Sequence, residues 1–410
     1  MIAAVLTAAM SISLGAAGVS AADNSVSGFE PALDTETEAT LYFLGNYGNF
    51  EALDQVALDF KNYYPNVDVI YTKLDDYRND IANRFVTGEE IDLFMCSWWD
   101  EAFPGNGNII ENAEDLGTTG IDFSNLNPDM LSLGAVDETQ LMVPLYVDCC
   151  GYMVNLDLFE AAGAEVPTNS EELLTACEKL AAAGYEKPIY IRSGAYGRSF
   201  TGTYMEQRLG GSDETAALEE TIAKMDELYA SGYVNDEGNT LEDAYNAMIL
   251  RFFEGDIPLE PIIVSNYSGT KKREAKSEAF TANPFNYAFI PAFYGETSDR
   301  TYINELGSVY VGVYKGSEQL EMANEFLRFM LTDDEMYTFQ TIKNMPTANV
   351  TNGMDTFPYL KEADLYYSTE EGISSLDEEY AMDVLNEYDA GGDHAGMYEM
   401  LNGFLENGLG

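Results

Sequence analysis

The chain has 410 residues, and its 71 Asp and Glu residues against 20 Lys and Arg give a formal net charge of -51. Such an excess of acid repels phosphate backbones and anionic lipid surfaces, so no nucleic acid and no membrane surface is expected as a partner. The length exceeds what one hydrophobic core usually organises, which predicts two domains.

The N-terminal segment has the features of an export signal. Residues 1–22 are mostly small or apolar and end in an A-x-A-like site, which predicts a signal peptide. Residues 23–38 are polar and acidic, which predicts a flexible tether. After residue 22 the sequence has no run of about 18 apolar residues, so no membrane span is predicted. We therefore expect an exported, extracellular or cell-surface protein. A lipoprotein would need a cysteine at the cleavage site, whereas the first cysteine is Cys96, and the mode of anchoring is left open.

Motifs for catalysis, nucleotides and metals are sparse. The sequence has neither a GxxxxGK[ST] loop nor a GxSxG elbow, and its single histidine, His394, lies in a glycine-rich stretch typical of a surface loop. The acidic cluster at 235–243 lacks the alternate-residue spacing of a calcium loop. No metal and no cofactor is expected. Free buried thiols are favoured over a long-range disulfide for the four cysteines, Cys96, Cys149, Cys150 and Cys177.

Strand and helix signals alternate from residue 40 onward, which predicts parallel α/β layers. The first strands are predicted at 40–44, 67–71 and 91–96. The helix between the first two strands is expected to be capped by Asn49 and to bury one face, formed by Phe50, Leu53, Ala57 and Phe60. A second helix is predicted over 77–86 and ends near Gly88.

The same alternation continues through the middle and the C-terminal part. One strand-like run covers 143–154, and capping boxes at Thr168 with Glu171 and at Thr332 with Glu335 predict two helix starts. Further strands are predicted at 188–191, 257–264, 287–290 and 308–314. Helices are predicted within 213–253, from Ser317 onward, and in the tail at 377–409.

Aromatic side chains at strand ends are the most informative candidates for a binding site. Sugars present apolar C–H faces ringed by hydroxyls, so their sites combine stacked aromatic rings with hydrogen-bonding side chains. In α/β folds, ligands lie beyond the carboxyl ends of the strands. Trp98 and Trp99 follow the strand that ends at Cys96, and Tyr47 follows the first strand. We predict that Tyr47 and at least one of the two tryptophans face a ligand.

Four stretches, in this order and spacing, resemble the family 1 extracellular solute-binding proteins of ABC sugar importers, which are maltose-binding-protein-like. The resemblance runs from about residue 39 to residue 348. The second stretch contains the strand followed by an "N-x-D-L-F" run, and the fourth reads "A-x-E-F-L-x-F-M". The four stretches are Phe60–Val69, Pro144–Phe159, Phe252–Leu259 and Ala323–Thr332.

The resemblance implies a particular fold class and domain division. It implies an α/β, two-lobed periplasmic-binding-protein-like fold with discontinuous lobes and an inter-lobe ligand cleft. The implied first lobe comprises 39–147 and 290–345, and the second comprises 148–289 and 346–410. Crossovers between the lobes are expected near Val147, Phe289 and Met345.

The same resemblance implies further ligand-binding residues. Asp148 matches the acidic or polar position on the inter-lobe strand, and we expect its side chain to face the ligand without a partner inside the protein. The family's aromatic position corresponds to Tyr267, with Asn266 beside it. Residues Arg198, Tyr204 and Glu305 are placed at the cleft by the same resemblance.

The preferred interpretation is a monomeric binding protein that captures a small molecule, in particular a mono- or oligosaccharide, and delivers it to an ABC transporter permease. It is not expected to be an enzyme. The alternative is an exported carbohydrate-active enzyme that uses paired carboxylates, since acidic residues are abundant. A binder of another small solute, such as a peptide or a polyamine, is also left open.

Overall fold

The computed structural model describes residues 28–47, 50–96, 107–191, 212, 214–235, 244–291, 300–303, 305–361 and 364–367. The predicted signal peptide at 1–22 and the predicted helical tail at 377–409 lie outside these residues. The described residues from Pro31 onward belong to one packing unit. In the described part of the chain, no helix is both long enough and apolar enough to cross a membrane.

The strands in the described ranges form two five-stranded sheets and two short pairs. They are β1 (Ala39–Gly45), β2 (Val67–Lys73), β3 (Leu93–Cys96), β4 (Ala135–Val136), β5 (Thr139–Gln140), β6 (Val143–Asp148), β7 (Cys150–Asn155), β8 (Ile189–Tyr190), β9 (Val234–Asn235), β10 (Leu259–Ile263), β11 (Tyr287–Pro291), β12 (Arg300–Ile303), β13 (Glu305–Val313) and β14 (Asp364–Tyr367). The first sheet has the order β2-β1-β3-β13-β6, and the second has the order β11-β7-β10-β8-β9. β12 pairs with β14, and β4 pairs with β5.

Helices connect most of these strands, as an alternating α/β pattern requires. They are α1 (Glu51–Phe60), α2 (Tyr77–Thr87), α3 (Gly107–Asn112), α4 (Pro128–Leu133), α5 (Leu156–Ala162), α6 (Ser170–Ala182), α7 (Glu214–Ala230), α8 (Ala244–Phe252), α9 (Val264–Tyr267), α10 (Thr270–Glu274), α11 (Glu278–Ala282), α12 (Leu320–Met330), α13 (Asp333–Lys343) and α14 (Pro358–Lys361). α2 ends at Gly88, whose φ of 69° lies in the left-handed region that favours glycine, as predicted.

The core of the first sheet is built from apolar strands and from aromatic residues on α1, α12 and α13. Every residue of β3 and of β6 is buried, which is typical of strands covered on both faces. Phe60 at the end of α1 lies 5.1 Å from Phe326 and 5.3 Å from Phe329, measured between ring centroids. Phe50 lies 5.8 Å from Phe339 on α13. These contacts fix α12 and α13 against α1.

One carboxyl group is buried within this helix packing. Glu335 of α13 is 3% exposed, and its Oε2 atom has no hydrogen-bond partner in the described part of the chain. Burial, with the nearby charges of Asp59 and Asp334, raises the pKa of Glu335 to about 8. The predicted capping box of Thr332 with Glu335 is therefore wrong. Thr332 does precede α13, but its side chain makes no cap hydrogen bond, and Glu335 is directed into the protein.

The core of the second sheet contains a cluster of aromatic rings contributed by α8, α11 and β11. Neighbouring ring centroids are separated by 5.0 to 6.4 Å, mostly in edge-to-face arrangements that suit the ring quadrupole. The Ser277 hydroxyl donates to the Phe253 carbonyl at 3.0 Å and ties α11 to the end of α8. The cluster comprises Phe252, Phe253, Phe280, Phe285 and Tyr287.

The chain passes between the two sheets at Cys149, because β6 belongs to the first sheet and β7 to the second. The predicted single strand over 143–154 is thus two strands separated by one residue. A second passage joins β11 of the second sheet to β12 and β13, through residues 292–299 that are not described. A third follows α13. Thr347 forms an antiparallel bridge with Tyr146 of β6, and the Phe357 ring then lies 6.4 Å from Phe289 of β11.

Two other local predictions are corrected by tertiary contacts. The predicted tether does not extend to residue 38, because the Ala32 amide donates to Glu325 at 2.8 Å and the Leu33 amide donates to the Tyr64 hydroxyl at 3.1 Å. The predicted capping box at Thr168 is displaced by one residue. Asn169 is the N-cap of α6 and accepts from the Glu172 amide at 2.8 Å.

Candidate functional site

The carboxyl ends of three strands lie at the same edge of the first sheet. β1 and β3 are parallel, and β3 and β6 are both antiparallel to β13, so β6 runs in the same direction as β1 and β3. β1 ends just before Tyr47, β3 ends at Cys96, and β6 ends at Asp148. β13 begins at this edge, where Glu305 pairs with Asp148. We call this boundary the carboxyl edge of the first sheet.

The second sheet presents a corresponding edge to the same crossover. β8 and β10 are parallel, so their carboxyl ends lie together, and Ile263 at the end of β10 pairs with Cys150 at the start of β7. β11 is also antiparallel to β7 and pairs Pro291 with Gly151 at this end. The carboxyl edges of both sheets therefore meet at Cys149. In α/β folds, this is the position at which strands leave room for a ligand.

Asp148 links the two sheets at this meeting point. Its side chain is fully buried, and its Oδ1 atom accepts hydrogen bonds from the Cys149 amide and from the Ser265 amide, each at 3.0 Å. The Val264 amide in turn donates to the Cys149 carbonyl at 3.0 Å. The expectation that Asp148 has no partner inside the protein is wrong. Its carboxylate fastens the start of α9, which follows β10 directly, to the crossover. Its contact with a ligand stays a prediction.

Tyr47 lies at the carboxyl edge of the first sheet with a half-buried ring. Its ring centroid is 5.2 Å from that of Phe50, and the Lys343 ammonium lies 4.3 Å from the same ring. The Tyr71 hydroxyl donates to the Tyr47 carbonyl at 3.0 Å, and burial raises the pKa of Tyr71 to about 12. Backbone and ring are thus held in place, while part of the ring is left accessible to a ligand.

The two residues predicted after β10 differ in exposure. Tyr267 is 8% exposed, and its ring centroid lies 5.5 Å from that of Phe289 and 6.1 Å from that of Phe357. Burial raises the pKa of Tyr267 well above its usual range. Its ring therefore contributes mainly to packing, and its contact with a ligand stays a prediction. Asn266 is half-buried and lies in α9, directly after the edge, and its carbonyl accepts from the Gly269 amide at 3.1 Å.

Several predicted site residues lie outside the described residues. Trp98 and Trp99 directly follow β3, and Arg198 and Tyr204 follow β8, but none of the four is described. The backbone of Glu305 is described through its pairing with Asp148, whereas its side chain is not. Contact of these side chains with a ligand stays a prediction.

Lys343 was not predicted as a site residue, yet it is the cation nearest to the Tyr47 ring among the described contacts. It occupies the last turn of α13, where a positive charge is stabilised by the helix macrodipole. Burial and the charge of Lys272 lower the pKa of Lys343, in that order of importance. Helical periodicity identifies the buried face of α13 but not the strand end that its last turn reaches, so no sequence signal identified this lysine.

Three cysteine thiols are buried: Cys96 at the end of β3, Cys149 at the crossover, and Cys177 in α6, where burial raises the thiol pKa to about 12. In the described ranges, no cluster of three acidic, histidine or cysteine side chains has a metal-binding arrangement. A pocket of about 260 Å³ lies beside the third crossover, between Asn127 and the segment 347–361, and none of the predicted site residues lines it.

Two α/β halves, each with the carboxyl ends of its parallel strands directed at a shared crossover, define the class of two-lobed binding proteins with a periplasmic-binding-protein-like fold. Residues 45–337 match the family of bacterial extracellular solute-binding proteins. The chain belongs to this family. The resemblance inferred from the four sequence stretches is thereby confirmed.

Solved structures share the fold at low sequence identity. The apo form of RafE from Streptococcus pneumoniae is 16% identical, with a TM-score of 0.66 over 91% of this chain and 99% of that chain. The sugar-binding protein MalE from Xanthomonas citri is 14% identical, with a TM-score of 0.63 over 90% and 96%. The GacH receptor of Streptomyces glaucescens, solved unliganded and with acarbose, is 18% identical, with a TM-score of 0.60 over 90% and 94%. These likenesses confirm the predicted fold class. No curated protein matches the sequence.

Proposed function

We propose that this protein captures a mono- or oligosaccharide between its two lobes and delivers it to the permease of an ABC importer. One observation carries the proposal: the carboxyl edges of both sheets meet at the Asp148–Cys149 crossover. A ligand at this point contacts both lobes at once. Membership of an extracellular solute-binding family supports capture outside the cell, and the sugar-binding neighbours support a saccharide as the ligand.

The proposed lobes are 39–147 with 290–345, and 148–289 with 346–410. Three passages of the chain connect them, and the segments next to these passages lie side by side. Asp148 of β6 pairs with Glu305 of β13, and Tyr146 of β6 forms a bridge with Thr347. Closure by bending of such adjacent segments is the hinge motion found in periplasmic binding proteins. A ligand shifts the population towards the closed form only if it binds that form more tightly.

The proposed binding surface combines an aromatic ring with polar groups. Tyr47 offers a partly exposed ring at the edge of the first sheet, and Asn266 lies after the edge of the second. Trp98, Trp99, Arg198, Tyr204 and Glu305 belong to the proposed surface by their positions after β3, after β8 and at the start of β13. We propose that the protein acts as a monomer, without a cofactor, and is not an enzyme.

A thermal-shift screen over mono- and oligosaccharides tests the proposal, because a ligand at 100 times its dissociation constant adds about 2.7 kcal/mol to the free energy of unfolding. Calorimetric titration of each hit gives its stoichiometry, expected to be one ligand per chain. Small-angle scattering with saturating ligand should show a smaller radius of gyration as the lobes close.

Three outcomes would contradict the proposal. The absence of any stabilising saccharide would refute the ligand class. An unchanged radius of gyration at saturation would refute closure. Time-dependent release of reducing sugar from an oligosaccharide hit would favour the carbohydrate-active enzyme over the binding protein.

A further inference from the structure

The pocket beside the third passage of the chain lies outside the proposed saccharide site, because none of the predicted site residues lines it. Its volume is about 260 Å³. This is roughly nine times the ~30 Å³ that one water molecule occupies in the liquid, and just below the ~300–1,000 Å³ of pockets for drug-sized molecules. The pocket is therefore large enough for a small organic molecule, up to the size of one sugar ring.

The two walls of the pocket belong to different parts of the fold. On one side, the Ala348 amide donates to the Leu145 carbonyl of β6 at 3.1 Å, and the Asn127 amide donates to the Ala348 carbonyl at 2.8 Å. This wall is therefore fixed to the first sheet. On the other side, Leu360 and Lys361 lie in α14, which packs on β11 of the second sheet. The pocket thus lies where the chain leaves the first sheet for the second.

The hydroxyl of Thr347 is a buried polar group in the wall of the pocket. Thr347 is 1% exposed, and its hydroxyl has no hydrogen-bond partner in the described part of the chain. The backbone beside it is held in place, because the Thr347 amide donates to the Gly353 carbonyl at 3.0 Å and the Gly353 amide donates to the Asn349 carbonyl at 2.9 Å. A buried hydroxyl without a partner costs free energy, and a molecule in the pocket can supply the missing bond.

The charged side chains of the wall neutralise each other. Lys361 and Asp355 form an ion pair, and among the described residues that line the pocket no other side chain is charged. An anion or a cation would have to separate this pair, whereas a neutral molecule leaves it intact. Met354 and Leu360 offer apolar contact to C–H groups, and the Thr347 hydroxyl can both donate and accept a hydrogen bond.

We propose that this pocket is a second binding site, for a neutral polyol no larger than one sugar ring, and that a hydroxyl of the polyol forms a hydrogen bond with Thr347. A polyol combines C–H groups with hydroxyls that donate and accept, which matches both the apolar and the polar parts of the wall. The inference goes beyond the proposed function, because this site takes its ligand outside the carboxyl edges of the two sheets.

Carbon-13 labelling of the methionine methyl groups places a probe in the pocket, because Met354 lines it. Glycerol, xylitol and myo-inositol are titrated into the protein while the Met354 methyl signal is followed by NMR. Met248, which is buried in α8, serves as the reference. Glycerate and 2-amino-1,3-propanediol serve as the anionic and the cationic analogue of glycerol. The Met354 signal is assigned from its absence in Met354→Leu.

Four variants are titrated beside the wild type. Thr347→Val removes the hydroxyl with little change of shape and breaks no hydrogen bond of that hydroxyl within the described ranges, whereas Thr347→Ser keeps the hydroxyl. Thr341→Val is the matched control, because Thr341 is exposed on α13, donates to the Tyr337 carbonyl within the helix, and does not line the pocket. Tyr47→Ala alters the proposed saccharide site instead. Thermal melts establish that each variant is folded.

The Met354 signal is expected to move saturably with at least one neutral polyol, with a Kd in the millimolar range because few atoms make contact. Thr347→Val should raise this Kd about 3- to 10-fold, which corresponds to the loss of one neutral hydrogen bond. The other three variants should change it by less than about 2-fold, because they leave that bond in place. The charged analogues should bind at least about 3-fold more weakly than glycerol, since their charge finds no free partner in the wall.

Four results would overturn the inference. A shift that grows linearly with polyol concentration, and equally in Thr347→Val, is a solvent effect and means that the pocket holds water only. A saturable shift that Thr347→Val leaves unchanged excludes the hydroxyl as the contact. Tighter binding of a charged analogue refutes the neutral ligand class. Loss of the Met354 response in Tyr47→Ala places the polyol at the proposed saccharide site, which refutes the second site and leaves the proposed function standing.

Discussion

Replacement of Asp148 tests the central contact of the crossover. Its Oδ1 atom accepts from two backbone amides, at Cys149 and at Ser265, and the side chain is fully buried. Asp148→Ala removes the acceptor and leaves both amides inside the protein. A buried amide without a partner costs about 1–3 kcal/mol, and partial entry of water lowers the sum for two. We therefore expect Asp148→Ala to lower the free energy of unfolding by about 2–4 kcal/mol in the absence of ligand.

A graded series separates this role from contact with a ligand. Asp148→Asn keeps a side-chain oxygen that can accept from the same amides, so it should lose only about 1 kcal/mol, the difference between a charge-assisted and a neutral bond. Urea unfolding of the apo proteins measures the loss of stability, and calorimetry with a bound saccharide measures the loss of affinity. Asp122→Ala is the matched control, because Asp122 also accepts a backbone amide, that of Ser124 at 2.9 Å, but is exposed.

The decisive comparison is between stability and affinity. Equal urea midpoints for Asp148→Ala and the wild type would refute the structural role of Asp148, because two buried amides without a partner must lower the free energy of unfolding. Loss of affinity in Asp148→Asn with normal stability would add a direct ligand contact to the structural role.

Three further predictions concern the strand ends and the buried acid. Tyr47→Ala should weaken saccharide binding by about 1–3 kcal/mol, the scale of a lost aromatic anchor, and calorimetry would contradict this if the affinity were unchanged. Trp98→Ala or Trp99→Ala should have an effect of the same size, and equal affinity in both folded variants would exclude stacking there. Glu335, whose pKa is raised from 4.5 to about 8, takes up a proton on folding, so its contribution to stability falls as pH rises from 4.5 to 8. Glu335→Gln should therefore raise the free energy of unfolding by about 2–4 kcal/mol at pH 8 and leave it unchanged at pH 4, as measured by urea unfolding.

Much of the fold could be predicted because its signals are local. The first strands were predicted within a few residues of β1, β2 and β3, since short runs of apolar and β-branched residues bounded by turn residues predict strands. The end of α2 at Gly88 followed from the backbone freedom of glycine. The passage at Cys149 could not be predicted in this way. Residues 143–154 are extended throughout, and only pairing with distant strands assigns β6 and β7 to different sheets.

The site was predicted less completely for the same reason. The resemblance identified Asp148, but its partner Ser265 lies 117 residues further along the chain, so its structural role has no local signature. At Thr332 and Glu335, by contrast, a local signature was present but the predicted contact did not form. The two residues match a capping box, but Glu335, the third residue of α13, faces α1 and is buried.

The hydrogen bonds around Asp148 also bear on where closure would bend the chain. The Val147 amide donates to the Pro346 carbonyl at 3.0 Å, which ties Val147 to the segment beside the first sheet. The Asp148 carboxylate is tied to Cys149 and Ser265, which belong to the crossover and to the turn after β10. Rotation about the bonds between Val147 and Asp148 would preserve these hydrogen bonds but would disturb the pairing of Asp148 with Glu305, whereas bending one residue later would strain the bonds of the Asp148 carboxylate. The proposed lobe boundary therefore falls between the contacts of Val147 with the first sheet and the contacts of the Asp148 carboxylate with the start of α9, and a ligand bound there would contact both lobes in the closed form.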